Sequence, residues 1–329
     1  MKHLHVFAII PIIILTLLIE PCNADSTPLE SIVLGVAENA GDIPPLIAAE
    51  QGFFRAEGLD IRYKAWPAGK QAIEAMFLNE VDVATVADTP IVLQSFQRRD
   101  FSIIATFSHN TPYRLVARRD SGIRSSADLR GHRIGVMAGT TPQFFLYSLL
   151  VDFDIAPTEI IELNVPAAES SEALAQGRVD AIAAFDPHGY YAQIALGDQA
   201  IVIPYEKIRH EETFNYVVRC DFLQKHPIAV QKLLRATLRA IDWMRSHRSE
   251  AIAIVARRLK MDEAVMETLW NNYRHFLSLD QALLLSLESQ ARWAIRNGIG
   301  GGTTVPNYLD FLDMSPLEAV TPAAITIIR

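Results

Sequence analysis

Glu74-Ala75-Met76-Phe77-Leu78-Asn79-Glu80-Val81-Asp82, followed by Val83-Ala84-Thr85-Val86-Ala87-Asp88-Thr89-Pro90, returns 98 positions later as Glu172-Ala173-Leu174-Ala175-Gln176-Gly177-Arg178-Val179-Asp180 and Ala181-Ile182-Ala183-Ala184-Phe185-Asp186-Pro187. In each copy an amphipathic helix stops at Asn79-Glu80 or Gly177, a Val-Asp pair opens a short apolar strand, and an Asp beside a Pro closes it. A short, wholly apolar run between helical patterns reads as a buried parallel strand. Open α/β sheets bind ligands beyond the carboxyl ends of such strands. Two such ends, one in each half of the chain, point to a ligand held between two lobes.

Outward from the repeat the alternation continues. Ser31 to Ala37 reads as an opening strand, and Ile43-Pro44-Pro45 starts a helix, since proline suits the first turn. That helix breaks at Gly52 and stops at Gly58, a left-handed cap. Strand 59–66, helix 70–79, strand 81–87, helix 90–98 and strand 101–107 complete a βαβαβ set. The turn His109-Asn110-Thr111-Pro112 leads into strand 113–118, which leaves the first lobe. A second set follows: helix 126–130, strand 133–137, helix 141–152, strand 160–164, helix 170–176, strand 179–185, helix 188–195 and strand 200–205. Strand 214–219 returns to the first lobe, so strands 113–118 and 214–219 form a two-strand hinge. From Pro227 the pattern is helical nearly to the end, with Gly298 to Gly302 read as a flexible link.

The start of the chain reads as a signal for export. Lys2 and His3 are basic, Val6 to Ile19 is apolar but too short for a stable span, and Cys22-Asn23-Ala24 offers small residues for cleavage after Ala24. A lipid anchor on Cys22 is the rival, but Glu20 and Pro21 stand where such a site needs small or aliphatic residues. Cleavage leaves Cys220 alone, expected as a small buried residue in a strand. The remaining chain of about 305 residues exceeds one comfortable core. Its net charge of −8 argues against a nucleic-acid surface. The expected organisation is a signal at 1–24, lobe 1 at 25–113 and 218–329, and lobe 2 at 114–217.

Several stretches together resemble the periplasmic substrate-binding proteins of ABC importers in the nitrate, sulfonate, taurine and thiamine-precursor group. They are Ala48-Ala49-Glu50-Gln51-Gly52-Phe53-Phe54-Arg55-Ala56-Glu57-Gly58-Leu59, Trp66-Pro67-Ala68-Gly69, Val81-Asp82, Asp88-Thr89-Pro90, Asp128-Leu129-Arg130-Gly131-His132-Arg133-Ile134-Gly135-Val136 and Asp186-Pro187. The C-terminal Tyr308-Leu309-Asp310 and Leu317 also fit. The resemblance implies an α/β protein of the type II periplasmic-binding-protein fold, two α/β lobes joined by a two-strand hinge. It implies a monomeric periplasmic receptor that passes a small-molecule ligand to an ABC permease of the inner membrane, with no cofactor and no metal.

Candidate ligand contacts are each weighed against a structural role. Gly139-Thr140-Thr141-Pro142 lies between a strand and a helix, where free N–H groups and the helix dipole favour an anion. Capping by threonine needs no ligand, but the resemblance implies that this turn holds an anionic head. Asp88 and Asp186 each precede a Pro-led or Pro-adjacent helix, so N-capping is the first explanation and bonding to a ligand amine the sharper one. Gly69 and Lys70 open a helix at the end where a lysine opposes the dipole, which suggests another use for its charge. Trp66, Phe144, Phe185 and Tyr190 are candidate apolar walls; Asn39, Thr89, Thr111 and His188 are polar ones.

Other chemistries lack their motifs. His210-Glu211 is followed by Phe214 where a zinc-binding helix needs a second His, and the glycines at 298–302 lack the Lys and Ser or Thr of a phosphate loop. No nucleophile elbow places a Ser, and no Cys-rich tract exists. The resulting expectation is a receptor for a small anionic or zwitterionic molecule such as a sulfonate or taurine. A receptor for a thiamine-pyrimidine precursor and a sensor without transport are the alternatives, and an enzyme on the same fold is the remaining one.

Overall fold

The computed structural model describes residues 29–37, 39–205 and 210–328. The expected leader, its cleavage after Ala24 and Cys22 therefore lie outside the described residues. Two sheets organise the chain. The first runs β11-β4-β10-β3-β1-β2, built from β1 (Glu30–Ala37), β2 (Leu59–Trp66), β3 (Val83–Ala87), β4 (Phe101–Asn110), β10 (Glu212–Arg219) and β11 (Tyr273–Ser278). The second runs β7-β6-β8-β5-β9, from β5 (Tyr113–Arg118), β6 (Arg133–Val136), β7 (Ile161–Asn164), β8 (Ala181–Phe185) and β9 (Ala200–Ile203). Separate apolar cores fill the two lobes.

The repeat accounts for the centre of both sheets. β3 and β8 are buried along their whole length, as their lack of any polar alternation requires. β3 lies parallel to β1, and β8 parallel to β6. At the strand starts the Val-Asp pairs do the same work twice: Asp82 donates its N–H to Val33 O and accepts Val33 N–H on Oδ2, while Asp180 does so with Arg133, all four bonds at 2.8 Å. The preceding helix ends also match, with Asn79 (φ 61°) and Gly177 (φ 70°) both left-handed and Glu80 and Arg178 closing back on Ala75 and Ala173.

Both crossings fall earlier than the sequence pattern suggests. β5 is wholly in the second sheet and β10 wholly in the first, so the chain changes lobe between Asn110 and Tyr113 and again between Ile203 and Glu212. Each crossing strand then pairs antiparallel with a repeat strand, β5 with β8 and β10 with β3.

Three local expectations need correction. The C-terminal part is not helical throughout: β11 adds an antiparallel edge to β4, because Tyr273 to Ser278 is short and mixes aromatic and polar residues that a helical frame hides. The glycine stretch at 298–302 is anchored rather than a free link: Gly298 and Gly301 are exposed, but a Cβ on Gly302 would sit 2.2 Å from the Phe96 ring, so the chain approaches that ring as only glycine allows. Cys220 is the first residue of helix Cys220–Lys225 and half-buried, with its Sγ 3.6 Å from Ser102 Oγ. Helix Gln281–Arg296 leaves the C-terminal layer and reaches the other lobe, where Trp293 meets Phe144 of helix Thr141–Asp152 edge to face at 5.3 Å. Among the described residues no helix is long and apolar enough to cross a membrane.

Candidate functional site

The carboxyl ends of the parallel strands from both sheets converge on one cavity. Asn39 and Gly41 follow β1, Ala68 to Lys70 follow β2, Ala87 ends β3, Thr140 to Pro142 follow β6, and Phe185 ends β8 with Asp186 just beyond it. The cavity is small, about 30 Å³, and stands partly open to solvent between the lobes.

Gly139 adopts φ 74° and turns the chain into helix Thr141–Asp152. Thr140 occupies the N-cap position but does not cap: its Oγ1 donates to Met137 O at 2.6 Å. Gly139 N–H is taken by Gln143 Oε1 at 2.8 Å and Gln143 N–H by Thr140 O. Among the described residues no acceptor takes the N–H of Thr140 or Thr141. These two donors stand at the positive end of a 12-residue helix. Across the cleft, Gly69 lets its helix start against β3, where a Cβ would lie 2.8 Å from Thr85 O. The next residue, Lys70, reaches over to donate from Nζ to Ala138 O at 3.2 Å. The helix end and the one lysine of the cavity lining thus face the same space.

The two repeat aspartates differ. Neither is an N-cap residue, since Ala87 and Pro187 hold those positions. Asp186 is buried and lines the cavity; Arg114 Nε donates to its Oδ1 at 2.7 Å, and Tyr190 N–H to the same oxygen at 3.1 Å. Burial raises its pKa and Arg114 opposes that rise. Asp88 is buried beside the cavity and joins lobes: Thr141 Oγ1 donates to its Oδ1 at 3.2 Å, Ser286 Oγ lies 3.4 Å from its Oδ2, and Thr89 N–H caps back onto it at 2.9 Å. His210 Nε2 stands 3.3 Å from Asp88 Oδ2 without hydrogen-bond alignment.

The structure brings Asn39, Gly69, Lys70, Thr140, Thr141, Phe185 and Asp186 to the cavity wall. Asn39 is partly occupied already, accepting Gly41 N–H at 2.8 Å. Gly139 shapes the turn from behind, with Lys70 Nζ beside it. Trp66 packs on the core of the first lobe, Thr89 bonds Gln290, Thr111 is exposed, and His188 stacks edge-on against Phe185 with burial lowering its pKa. Phe144 belongs to the apolar seam between the lobes with Trp293 and Ala294, outside the cavity. Tyr190 sits under Arg114, whose guanidinium lies 5.4 Å from the ring centre.

Three polar lining residues escape sequence reasoning: Asn110, Glu212 and Tyr273. Asn110 ends β4 and lines the cavity, while its neighbour Thr111, which had the same claim, stands beyond the strand and is exposed. Glu212 follows another glutamate at a strand start, and Tyr273 lies in the unrecognised β11. Glu212 is buried, and that burial pushes its carboxyl up to about 8 with the charge of Asp88 adding to the rise, while the hydroxyls of Thr141 and Tyr113 oppose it.

Two α/β lobes, two crossings and a cavity at the strand ends define the periplasmic-binding-protein fold. The chain belongs to the NMT1/THI5-like family, whose profile matches residues 39–251. It is 24% identical over 207 residues to the "Putative aliphatic sulfonates-binding protein" of Escherichia coli (strain K12), a stretch covering 63% of this chain and 64% of that relative. Its fold matches the periplasmic aliphatic sulphonate binding protein SsuA from Escherichia coli with a TM-score of 0.74 at 20% identity, over 86% of this chain and 97% of that one. It also matches the desulfurization enzyme DszB in complex with biphenyl-2-sulfinic acid, with a TM-score of 0.70 at 17% identity over 89% and 99% of the two chains.

Proposed function

We propose that this protein is an exported receptor that captures a small organic anion of the sulfonate class between its lobes and delivers it to an ABC permease. The observation that carries this reading is the meeting of Lys70 with the uncapped start of helix Thr141–Asp152 in the cavity between the lobes. A tetrahedral anion there gains two backbone donors, the helix dipole and a cation, one set from each lobe. Its contacts therefore exist together only when the lobes close, which gives the differential affinity that distinguishes loaded from empty receptor. The family and the names of the sulfonate-binding relatives support the same class.

Chemistry through a cysteine nucleophile has no candidate at the ligand: among the described residues the cavity lining contains no Cys, and Cys220 lines a separate surface pocket with Ser102 and Asp313. A pyrimidine receptor needs a carboxylate free to accept from the ring amine; Asp186 is already paired with Arg114, which leaves Glu212 as the carboxylate of the lining for that role.

The test is thermal unfolding of the mature protein with ethanesulfonate, nitrate, a dicarboxylate or an aminopyrimidine. Ligand at about 100 times its Kd adds roughly 2.7 kcal/mol of stability. Ethanesulfonate is expected to raise Tm, and Lys70→Gln to weaken it about tenfold while leaving the unliganded Tm in place. A response to the pyrimidine with none to any sulfonate overturns the reading.

A further inference from the structure

Outside the cavity the lobes touch along an apolar seam. Helix Thr141–Asp152 of the second lobe brings Phe144 and Tyr147 to it, and helix Gln281–Arg296 of the first lobe brings Trp293 and Ala294. The Trp293 ring has both partners across the gap, edge to face with Phe144 at 5.3 Å and with Tyr147 at 5.7 Å. Leu93, Phe96 and Ile299 back it on the side of the first lobe. The glycine stretch braces those side chains in turn: a Cβ on Gly300 would lie 2.9 Å from Leu93, and one on Gly302 2.2 Å from Phe96.

Trp293 and Phe144 are only 7% and 8% exposed, yet neither belongs to the core of its own lobe. Each is covered by the other. Parting the lobes therefore returns both aromatic faces to water, and the hydrophobic effect resists that step. The Trp293 Nε1–H is buried and has no partner, so the indole works here as an apolar ring and not as a donor.

The seam and the anion site share a helix. Phe144 lies one turn beyond Thr141, whose free N–H stands at the helix start, and Thr141 Oγ1 makes the polar bond to Asp88 on the same turn. Contact of Trp293 with Phe144 thus sets where that helix start stands relative to Lys70. Phe144, Tyr147 and Trp293 are all absent from the cavity wall.

We infer that Trp293 is the closing latch of the receptor, a positioning residue that touches no ligand and sets affinity for all of them alike by fixing how often the two halves of the site meet. An apparent Kd is the intrinsic one divided by the competent fraction, so a latch scales every Kd by one factor. The inference needs a ligand held between the lobes and does not need that ligand to be a sulfonate.

The experiment is calorimetric titration of the mature protein and its variants with ethanesulfonate, nitrate and an aminopyrimidine. For each probe that the unmodified protein binds, Trp293→Ala is expected to weaken binding about 30-fold, and by the same factor for each. Trp293→Phe keeps a ring and drops an N–H that bonds to nothing, so it is expected to stay within about threefold. Phe144→Ala is expected to weaken binding as Trp293→Ala does, and the double variant to lose less than the product of the single losses, because both remove one contact. Where Trp293→Ala does not fold, Phe144→Ala reads the seam from the other lobe. Unchanged affinity in both alanine variants overturns the latch, as does a loss that differs tenfold between probes, which is the mark of a residue touching ligand. A loss in Trp293→Phe as large as in Trp293→Ala overturns the apolar ring as its basis. Uniform weakening of the aminopyrimidine, with no anion bound by any form, leaves the latch standing and overturns the sulfonate reading.

Discussion

Residues 74–90 and 172–188 spell nearly the same sentence, and the structure uses it identically until its last word. Both helices close on a left-handed residue, both Val-Asp pairs fasten strand to neighbouring strand, and Val81 and Val179 lie where a Cβ on Gly35 or Gly135 would touch them, at 3.1 and 3.2 Å. The final aspartates part company. Asp186 is held inside its own lobe by Arg114, the neighbour that β5 brings to β8. Asp88 has β10 as the corresponding neighbour, where Phe214 stands opposite Ala87 and no arginine arrives. It turns instead to Thr141 of the other lobe. The repeated unit thus specifies a fold, and the strand laid beside it decides what its carboxylate does.

Truncating the two aspartates gives the largest expected effects and separates the roles. Asp186→Ala strands Arg114 in a mostly buried position and is expected to destabilise the protein by about 3 kcal/mol in urea unfolding. Asp88→Ala removes one bond between lobes and is expected to cost about 1 kcal/mol of closure, read as a roughly fivefold weaker sulfonate affinity. The comparison breaks if the two variants lose stability equally and bind alike.

A smaller effect tests the shared part. Asp82→Ala and Asp180→Ala each delete a carboxylate that accepts a strand N–H, and each is expected to cost about 1–2 kcal/mol. Asp180 has a side-chain pair with Arg133 at 2.6 Å as well, but that arginine is 41% exposed and the pair adds little. Losses that differ by more than about 1 kcal/mol would show that the two clamps are not equivalent.

The division between repeat and neighbour also explains what the sequence could disclose. The apolar runs of β3 and β8, the glycine and proline punctuation and the Thr141–Asp152 helix follow from local rules, and their elements appear within a few residues of the expected bounds. The Gly69-Lys70 start and the Thr140 turn were legible because a helix start announces its own free donors. Asn110 and Glu212 were not: their value comes from register across β4 and β10, some hundred residues apart in the chain, and from which of two adjacent polar residues faces in. Asp88 and Asp186 look alike as helix starts, since Arg114 and Thr141 reach them only through tertiary structure.

The smallest effect distinguishes the copies at their helix ends. Asn79 and Gly177 occupy the same left-handed position, which costs a residue with a Cβ about 1 kcal/mol and asparagine less. Asn79→Gly is therefore expected to raise stability by a few tenths of a kcal/mol, the relief of strain offset by a more flexible unfolded chain. Gly177→Ala is expected to lower it by about 1 kcal/mol. A Cβ there would also fall 1.9 Å from Arg118 Nη1, but that side chain is held only by its pair with Asp120, an exposed residue, and can swing away. Opposite signs in thermal unfolding would show one backbone requirement met by two residues of unequal fitness; equal signs would mean that Arg118, and not the backbone, sets the choice of glycine in the second copy.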